Sequence, residues 1–340
     1  MRSKICGIIL VAACSLSGAD SSPCQAGLNQ FKSGDYSAAQ RTLWDCVESH
    51  PENATYAFHL ALTYRALKNY DTGLSRTKAA LERSPEDVDL LYLGAFLRYR
   101  RNETKDSMML LSKAYRLAPK DWRVHQLFAL NYISFDMLEP ARLSLFQAIA
   151  LNPDNAELHY QLGRLYFTLN RFKDSIESMK SALAIIPDYP EVYDSLGLTY
   201  EALQDEKRAA ESYLKAIELD RKHGIKDEWP LINYGKFLLH QESPGASLPF
   251  LSEALQFNPA STMANYQMGR ALCGLRRNAE AEKYFEKTIQ LEPSFSSAYY
   301  QLATLIRNRG DRDRATALMA QFKALVDKEE KTGKSGIPSR

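Results

Sequence analysis

Residues with chemistry of their own are scarce in this chain of 340 amino acids. There are five cysteines and six histidines. His50, His59, His125, His159, His223 and His240 never stand at metal-ligand spacing from a cysteine or a carboxylate. His240 and Glu242 are two apart and fall on different faces of a helix. No glycine-rich phosphate loop occurs, and no strand leads into a turn that would present a nucleophile. Asp311 and Asp313 lie at a helix–helix turn and offer too few oxygens for calcium. Catalysis therefore has no motif to rest on, and a noncatalytic protein with no cofactor and no metal is expected. Charge of one sign is missing too. Forty-three Lys and Arg face 41 Asp and Glu, a formal net charge of +2, with the signs interspersed. That balance argues against a general nucleic-acid binder.

Long apolar runs are absent, with one short exception at the N-terminus. The first nineteen residues, MRSKICGIILVAACSLSGA, carry two basic residues, an apolar run over 5–13 and small residues after it. These are the physical parts of a secretory signal peptide, too short to span a bilayer as a mature helix. Cleavage after Ala19 fits, with Ser17 and Ala19 as the small pair. Val11-Ala12-Ala13-Cys14 also resembles the lipobox of bacterial lipoproteins, which would make Cys14 a lipidated first residue. The expectation is export, to the periplasm, to a lipid-anchored position or outside the cell. The bland reading is an uncleaved, fortuitously apolar cytoplasmic N-terminus.

What the chain does have is a period. Pro51, Pro85, Pro119, Pro153 and Pro187 are 34 apart, Arg221 fills the next slot, and Pro259 and Pro293 resume the step after a four-residue insertion near 224–227. Small residues keep the same register. One column reads Gly27, Ala61, Ala95, Ala129, Gly163, Gly197, Gly235, Gly269, Ala303. A second runs from Ala39 to Ala315 and a third from Cys46 through Ala254, before Thr288 and Phe322 break it. Large side chains there would push two backbones apart. Each unit reads as two helices with a turn. In the fifth, 157–169 carries Tyr160, Leu162, Leu165 and Tyr166 at helical spacing, Asn170 and Arg171 turn, and 172–185 is the second helix. Neither helix buries its apolar face alone, so stacking supplies the core.

With these columns the chain resembles the tetratricopeptide repeat family over almost all of 20–328. The resemblance implies an all-α, right-handed superhelical solenoid of about nine helix-turn-helix repeats. The expected organisation is a signal over 1–19, repeats one to six over 20–223, an inserted loop at 224–227, repeats seven to nine with a cap over 228–329, and a disordered tail over 330–340. The insertion and Pro249, which should kink its helix or delay its start, suggest a joint between two subdomains. One continuous stack with a small irregularity is the simpler reading. Cys24 and Cys46 sit on the two helices of the first unit, where antiparallel packing would bring them within reach of a disulfide. Both could equally be small buried hydrophobes. Cys273 is left unpaired.

In the family the first helices line the concave, ligand-binding surface. Carried over by register, the lining is Tyr92, Phe96 and Arg100 in unit three, Tyr160, Gln161 and Arg164 in unit five, Asn233, Lys236 and His240 in unit seven, Tyr266, Gln267 and Arg270 in unit eight, and Tyr300 and Gln301 in unit nine. Tyr and Arg give large contact area with a polar tip. The lining is mildly basic in units five, seven and eight, which suits an acidic extended segment or a free carboxylate. Glu191, Asp194 and Glu201 reverse the sign in unit six. Tyr160 and Tyr266 could instead pack between neighbouring first helices, while Tyr132, Tyr166 and Tyr200 read as core. The leading expectation is a protein- or peptide-binding scaffold in the bacterial envelope, touching a membrane only through an N-terminal lipid. A carbohydrate-binding envelope factor and a substrate-holding subunit of a separate enzyme are the alternatives. The partner and the oligomeric state are not written in the sequence.

Overall fold

A computed structural model describes residues 23–50 and 53–332. Among them are eighteen α-helices and no strand. The helices pair as nine hairpins in chain order. The export signal expected over 1–19, with Cys14, and the last residues of the tail lie outside the described residues. No helix among the described residues is long and apolar enough to cross a membrane.

The hairpins fall into two compact units that divide between Ile186 and Pro187. The first holds α1 (Pro23–Lys32), α2 (Tyr36–Ser49), α3 (Ala54–Leu67), α4 (Tyr70–Arg83), α5 (Val88–Arg100), α6 (Thr104–Leu117), α7 (Trp122–Ser134), α8 (Leu138–Leu151), α9 (Ala156–Thr168) and α10 (Phe172–Ile185). The second holds α11 (Pro190–Ala202), α12 (Glu206–His223), α13 (Trp229–His240), α14 (Pro244–Phe257), α15 (Thr262–Gly274), α16 (Asn278–Leu291), α17 (Ser296–Arg309) and α18 (Arg312–Thr332). The inserted loop at 224–228 lies inside the second unit.

Local chemistry starts the helices. Asp35, Asn53, Asp87, Asp121, Asn155, Asp205 and Ser261 each accept a hydrogen bond from a first-turn N–H, which satisfies a donor the helix itself leaves open. Pro190 and Pro244 open α11 and α14, where a missing N–H costs nothing. The turns within hairpins are more uniform than their sequences. Gly34, Lys68, Asn102, Asp136, Asn170, Gln204, Glu242, Arg276 and Gly310 occupy one register position, and all have positive φ. Seven of the nine are not glycine, although a side chain there costs roughly 1–2 kcal/mol. Helix packing imposes the turn against local preference.

That packing is set by the first small column. A Cβ added to Gly269 would stand 2.6 Å from Phe285, and one added to Gly197 2.5 Å from Tyr213. Gly163 faces Met179 and Gly235 faces Leu251 in the same way. Ala61, Ala95, Ala129 and Ala303 hold the same column in other hairpins, and in the second hairpin Thr77 faces Gly94 of α5 instead. Large apolar residues of the second helices, such as Leu111, Leu145, Leu251 and Phe285, are completely buried.

Three features depart from a uniform stack. α4 packs on α5 rather than on its own partner α3. A recess of about 270 Å³ lies there, lined by Leu74, Leu81, Leu91 and Leu110 with Lys78 and Lys113 at its edge. α14 starts at Pro244 and runs through Pro249, so the expected delay toward Ser247 does not occur. Pro244 opens the helix although Ser243 makes no side-chain cap hydrogen bond, and exposed Pro249 forfeits only one interior N–H. α18 continues to Thr332, so 330–332 belong to the helix and not to a tail. A first-unit disulfide joins Cys24 to Cys46, tying α1 to α2.

The longer α12 carries a fourth departure. It ends on Gly224 in a left-handed cap, and Ile225 N–H bonds the carbonyl of Asp220. The Asp220 side chain is 7% exposed. Burial, aided by Asp227, Glu191 and Asp194, pushes its carboxyl up to about 8. Arg221 next to it does not compensate, because its guanidinium is paired with Glu253.

Two tests follow from this packing. Gly269→Ala should destabilise the protein by about 1–3 kcal/mol in denaturant unfolding, and adding Phe285→Leu should recover much of the loss. If the double variant is no better than the single one, the close approach is not what requires glycine. For Asp220, the folded carboxyl holds its proton more tightly than the unfolded one, so stability falls as pH rises from about 4 to about 8 and then levels. Asp220→Asn should therefore gain on wild type across that window, by at most about 1.4 kcal/mol per pH unit. A difference in melting temperature that stays flat between pH 5 and pH 8 would refute the buried charge.

Candidate functional site

The first helices carry the candidate residues, and the structure sorts them into buried and accessible groups. In the first unit, Tyr92 and Phe96 of α5 are buried. Tyr92 is roofed by Arg123 of α7, whose guanidinium carbon lies 5.1 Å from the ring centroid. Burial pushes the Tyr92 hydroxyl up to about 12. Arg123 is 5% exposed and is held from two sides. Its Nη2 donates to Asp89 Oδ1 at 2.7 Å and to Asp121 Oδ2 at 2.5 Å. Burial works against the Arg123 charge, and the two carboxylates more than offset it. Burial also outweighs Arg123 at Asp89 and raises that carboxyl above its ordinary range. This knot joins successive first helices. Its only sequence signal is an acid and a base 34 apart, Asp89 and Arg123, in one repeat position.

Around the knot, Arg100 is exposed at the end of α5, with its guanidinium carbon 5.9 Å from the Tyr70 ring centroid. On α9, Tyr160 is buried and Arg164 is exposed, stacked 5.8 Å from the Tyr160 ring centroid. Gln161 donates to Glu157 at 2.8 Å, while its carbonyl oxygen is buried without a partner.

In the second unit, Asn233 is buried and donates to both oxygens of Asp194, at 2.8 and 3.0 Å. Gln267 is also buried, and its carbonyl oxygen accepts from Arg270 at 3.0 Å. Tyr266 is half-buried against Phe295, with centroids 4.9 Å apart. These three sit among neighbours from their own unit. Lys236, His240, Arg270, Tyr300 and Gln301 retain accessible surface. His240 Nδ1 lies 3.0 Å from Glu201 Oε1, and the other Glu201 oxygen accepts from Tyr213 at 2.7 Å. Tyr300 leans on Phe322 at 5.4 Å.

The useful juxtaposition is Lys236 with Arg270. They occupy the same repeat position on α13 and α15, which pack together. Neither makes an ion pair among the described residues, and Gln267 holds the Arg270 guanidinium. Two positive groups thus stand on one face with an exposed tyrosine one hairpin further on. Such a face attracts carboxylates and offers hydrogen bonds to them. Among the described residues no three His, Cys, Asp or Glu side chains converge as metal ligands. Free Cys273 is half-buried, and burial raises its thiol.

Comparison with known proteins bears on this architecture. Family profiles described as Tetratricopeptide repeat match residues 24–87, 139–198, 190–223 and 266–328, together more than half of the chain. No curated protein matches it in sequence. Among solved structures, a chain of the APC/C hetero-tetramer Cut9-Hcn1 aligns with a TM-score of 0.68 at 13% identity, over 82% of this chain and 55% of that one. The present chain thus spans about half the length of that relative. Yeast Tom70 aligns with a TM-score of 0.57 at 19% identity, over 94% of this chain and 70% of its own. PilW, a type IV pilus biogenesis factor, gives 0.54 at 20%, over 60% and 92%. These identities show a shared fold. With the nine hairpins, the small columns and the family profiles in agreement, the chain is a tetratricopeptide-repeat protein.

Proposed function

We propose that this protein is a noncatalytic scaffold that binds an acidic, extended protein segment on the first-helix face of its second unit. The observation that carries the reading is the pair Lys236 and Arg270, which are accessible, adjacent in register and, among the described residues, without carboxylate partners. Gln267 pre-orients Arg270, so less side-chain freedom is lost on binding. Tyr300 adds apolar area with a hydroxyl tip. A structural relative, the Cut9-Hcn1 chain, belongs to a hetero-tetramer, an assembly role compatible with this reading.

We further propose that the protein works outside the cytoplasm. The signal-like first nineteen residues support this, either cleaved after Ala19 or lipidated at Cys14. The bond between Cys24 and Cys46 supports it independently, since such bonds persist in oxidising compartments. Closing a loop of that length is worth roughly 3 kcal/mol by chain-entropy reasoning. It would hold the first hairpin together by tying α1 to α2.

Two experiments test these readings. In affinity capture from the native envelope fraction, wild type should retain an acidic partner that Lys236→Glu with Arg270→Glu loses, with binding weakening as salt rises. Retention by the charge-reversed, folded variant would remove the face from the reading. For export, intact-mass measurement of the protein from its own cells should show a chain beginning at Asp20 or at an acylated Cys14, with Cys24 and Cys46 oxidised. A chain beginning at Met1 with free thiols would overturn export.

A further inference from the structure

The outer faces of the second helices are where repeats are freest to differ, and two of them differ together. Of fourteen exposed large hydrophobic side chains among the described residues, nine lie between 109 and 151. They belong to the third and fourth hairpins, both in the first unit. On α8 the residues at outward helical spacing are Glu139, Leu143, Phe146, Gln147 and Ala150, all exposed. Their one charge is neutralised by Arg142, which also lies over the Phe146 ring. The matching face of α6 reads Lys105, Met109, Ser112, Lys113 and Arg116. Neighbouring α4 and α10 show nothing similar. Their outward faces, with Asp71, Lys78 and Glu82 or Lys173, Glu177 and Lys180, mix both signs and carry no large apolar residue.

Charge on this surface is one-sided. Lys105, Lys113, Arg116 and Lys120 are exposed and make no ion pair among the described residues. The carboxylates of the same hairpins are mostly engaged elsewhere. Asp106 is with Arg98, Asp121 with Arg123 and Glu139 with Arg142. Asp136, at the turn, is left over. The apolar side chains protrude rather than line a recess: Met109 is 61% exposed, Leu143 56% and Phe146 41%. Met137 before the start of α8 and Leu151 at its end are exposed as well.

We infer that the outer face of α6 and α8 docks on the surface of a bilayer containing anionic lipids. Leu143, Phe146 and Met109 would enter the boundary between headgroups and acyl chains, and the four cations would lie at headgroup level. Protruding apolar residues flanked by unpaired Lys and Arg are the composition an interfacial site needs. A bilayer, unlike a folded partner, requires no complementary groove, and Met109, Leu143 and Phe146 protrude rather than line one. The inference is independent of the acidic-segment site, which uses a different face and a different unit.

Sedimentation with vesicles tests it. The full chain should bind vesicles of equal phosphatidylcholine and phosphatidylglycerol at least about tenfold more strongly than pure phosphatidylcholine, and salt should weaken the binding. Met109→Glu with Leu143→Glu and Phe146→Glu should reduce binding by about tenfold or more. Lys105→Glu with Lys113→Glu should abolish the preference for phosphatidylglycerol. All five positions are exposed, so circular dichroism should be unchanged. Failure of wild type to bind either vesicle, or undiminished binding by both variants, overturns the inference. Light scattering that finds a wild-type dimer, split by the apolar triple variant, would overturn it too and make the face an interface between copies.

Discussion

The structure depends on a close helix approach that recurs along the chain. At Gly27, Gly163, Gly197, Gly235 and Gly269 of the first helices, the residue sixteen positions later on the second helix lies against the small site. The close approach fixes the spacing of the two helices in a hairpin. Spacing then dictates the turn, which is why lysine, glutamine, glutamate and arginine adopt a left-handed conformation that glycine would take more readily. The trade is visible in residue sizes. Gly197 and Gly269 give up a Cβ against the rings of Tyr213 and Phe285, and Gly27 and Gly235 do so against Leu43 and Leu251.

Much of this was legible because packing against a neighbour must recur at the repeat period. Prolines and small residues 34 apart located every hairpin, and the turn at Asn170 and Arg171 gave the second helix of the fifth repeat at its observed bounds. The candidate surface was less legible, for a physical reason. Register says which face a residue occupies, but not whether the next helix covers it. Tyr92, Asn233 and Gln267 stand at lining positions and are buried by local partners, whereas Lys236 and Arg270 at a neighbouring position stay accessible. Coverage depends on side chains from the adjacent repeat, and those vary freely. Arg123 illustrates the gap. Its role is clear only once Asp89, one repeat earlier, and Asp121, at the helix cap, are seen to meet it.

Buried charge is handled in opposite ways in the two units. Around Arg123 two carboxylates and an aromatic ring replace the water lost on burial. Removing one partner would leave an uncompensated ion, so the knot resists change at any single member. Asp220 has the reverse environment, a buried acid facing further acids. It is tolerated by keeping its proton, and it sits where the repeat is interrupted by four extra residues.

The same logic explains how one array can offer two unrelated surfaces. Positions that pack between helices are constrained in every repeat, while outward positions of the second helices and part of the first-helix face are not. Their composition is therefore a record of something other than folding. The outward face of α8 carries leucine and phenylalanine where α4 and α10 carry charges of both signs, and no requirement of the hairpin accounts for the change. Exposed apolar area of this kind weakens solubility without adding to the core. A surface that the fold does not need, bordered by cations that it does not pair, is best understood through what it meets outside the molecule. The basic pair on α13 and α15 is of the same kind, because Lys236 and Arg270 make no ion pair among the described residues.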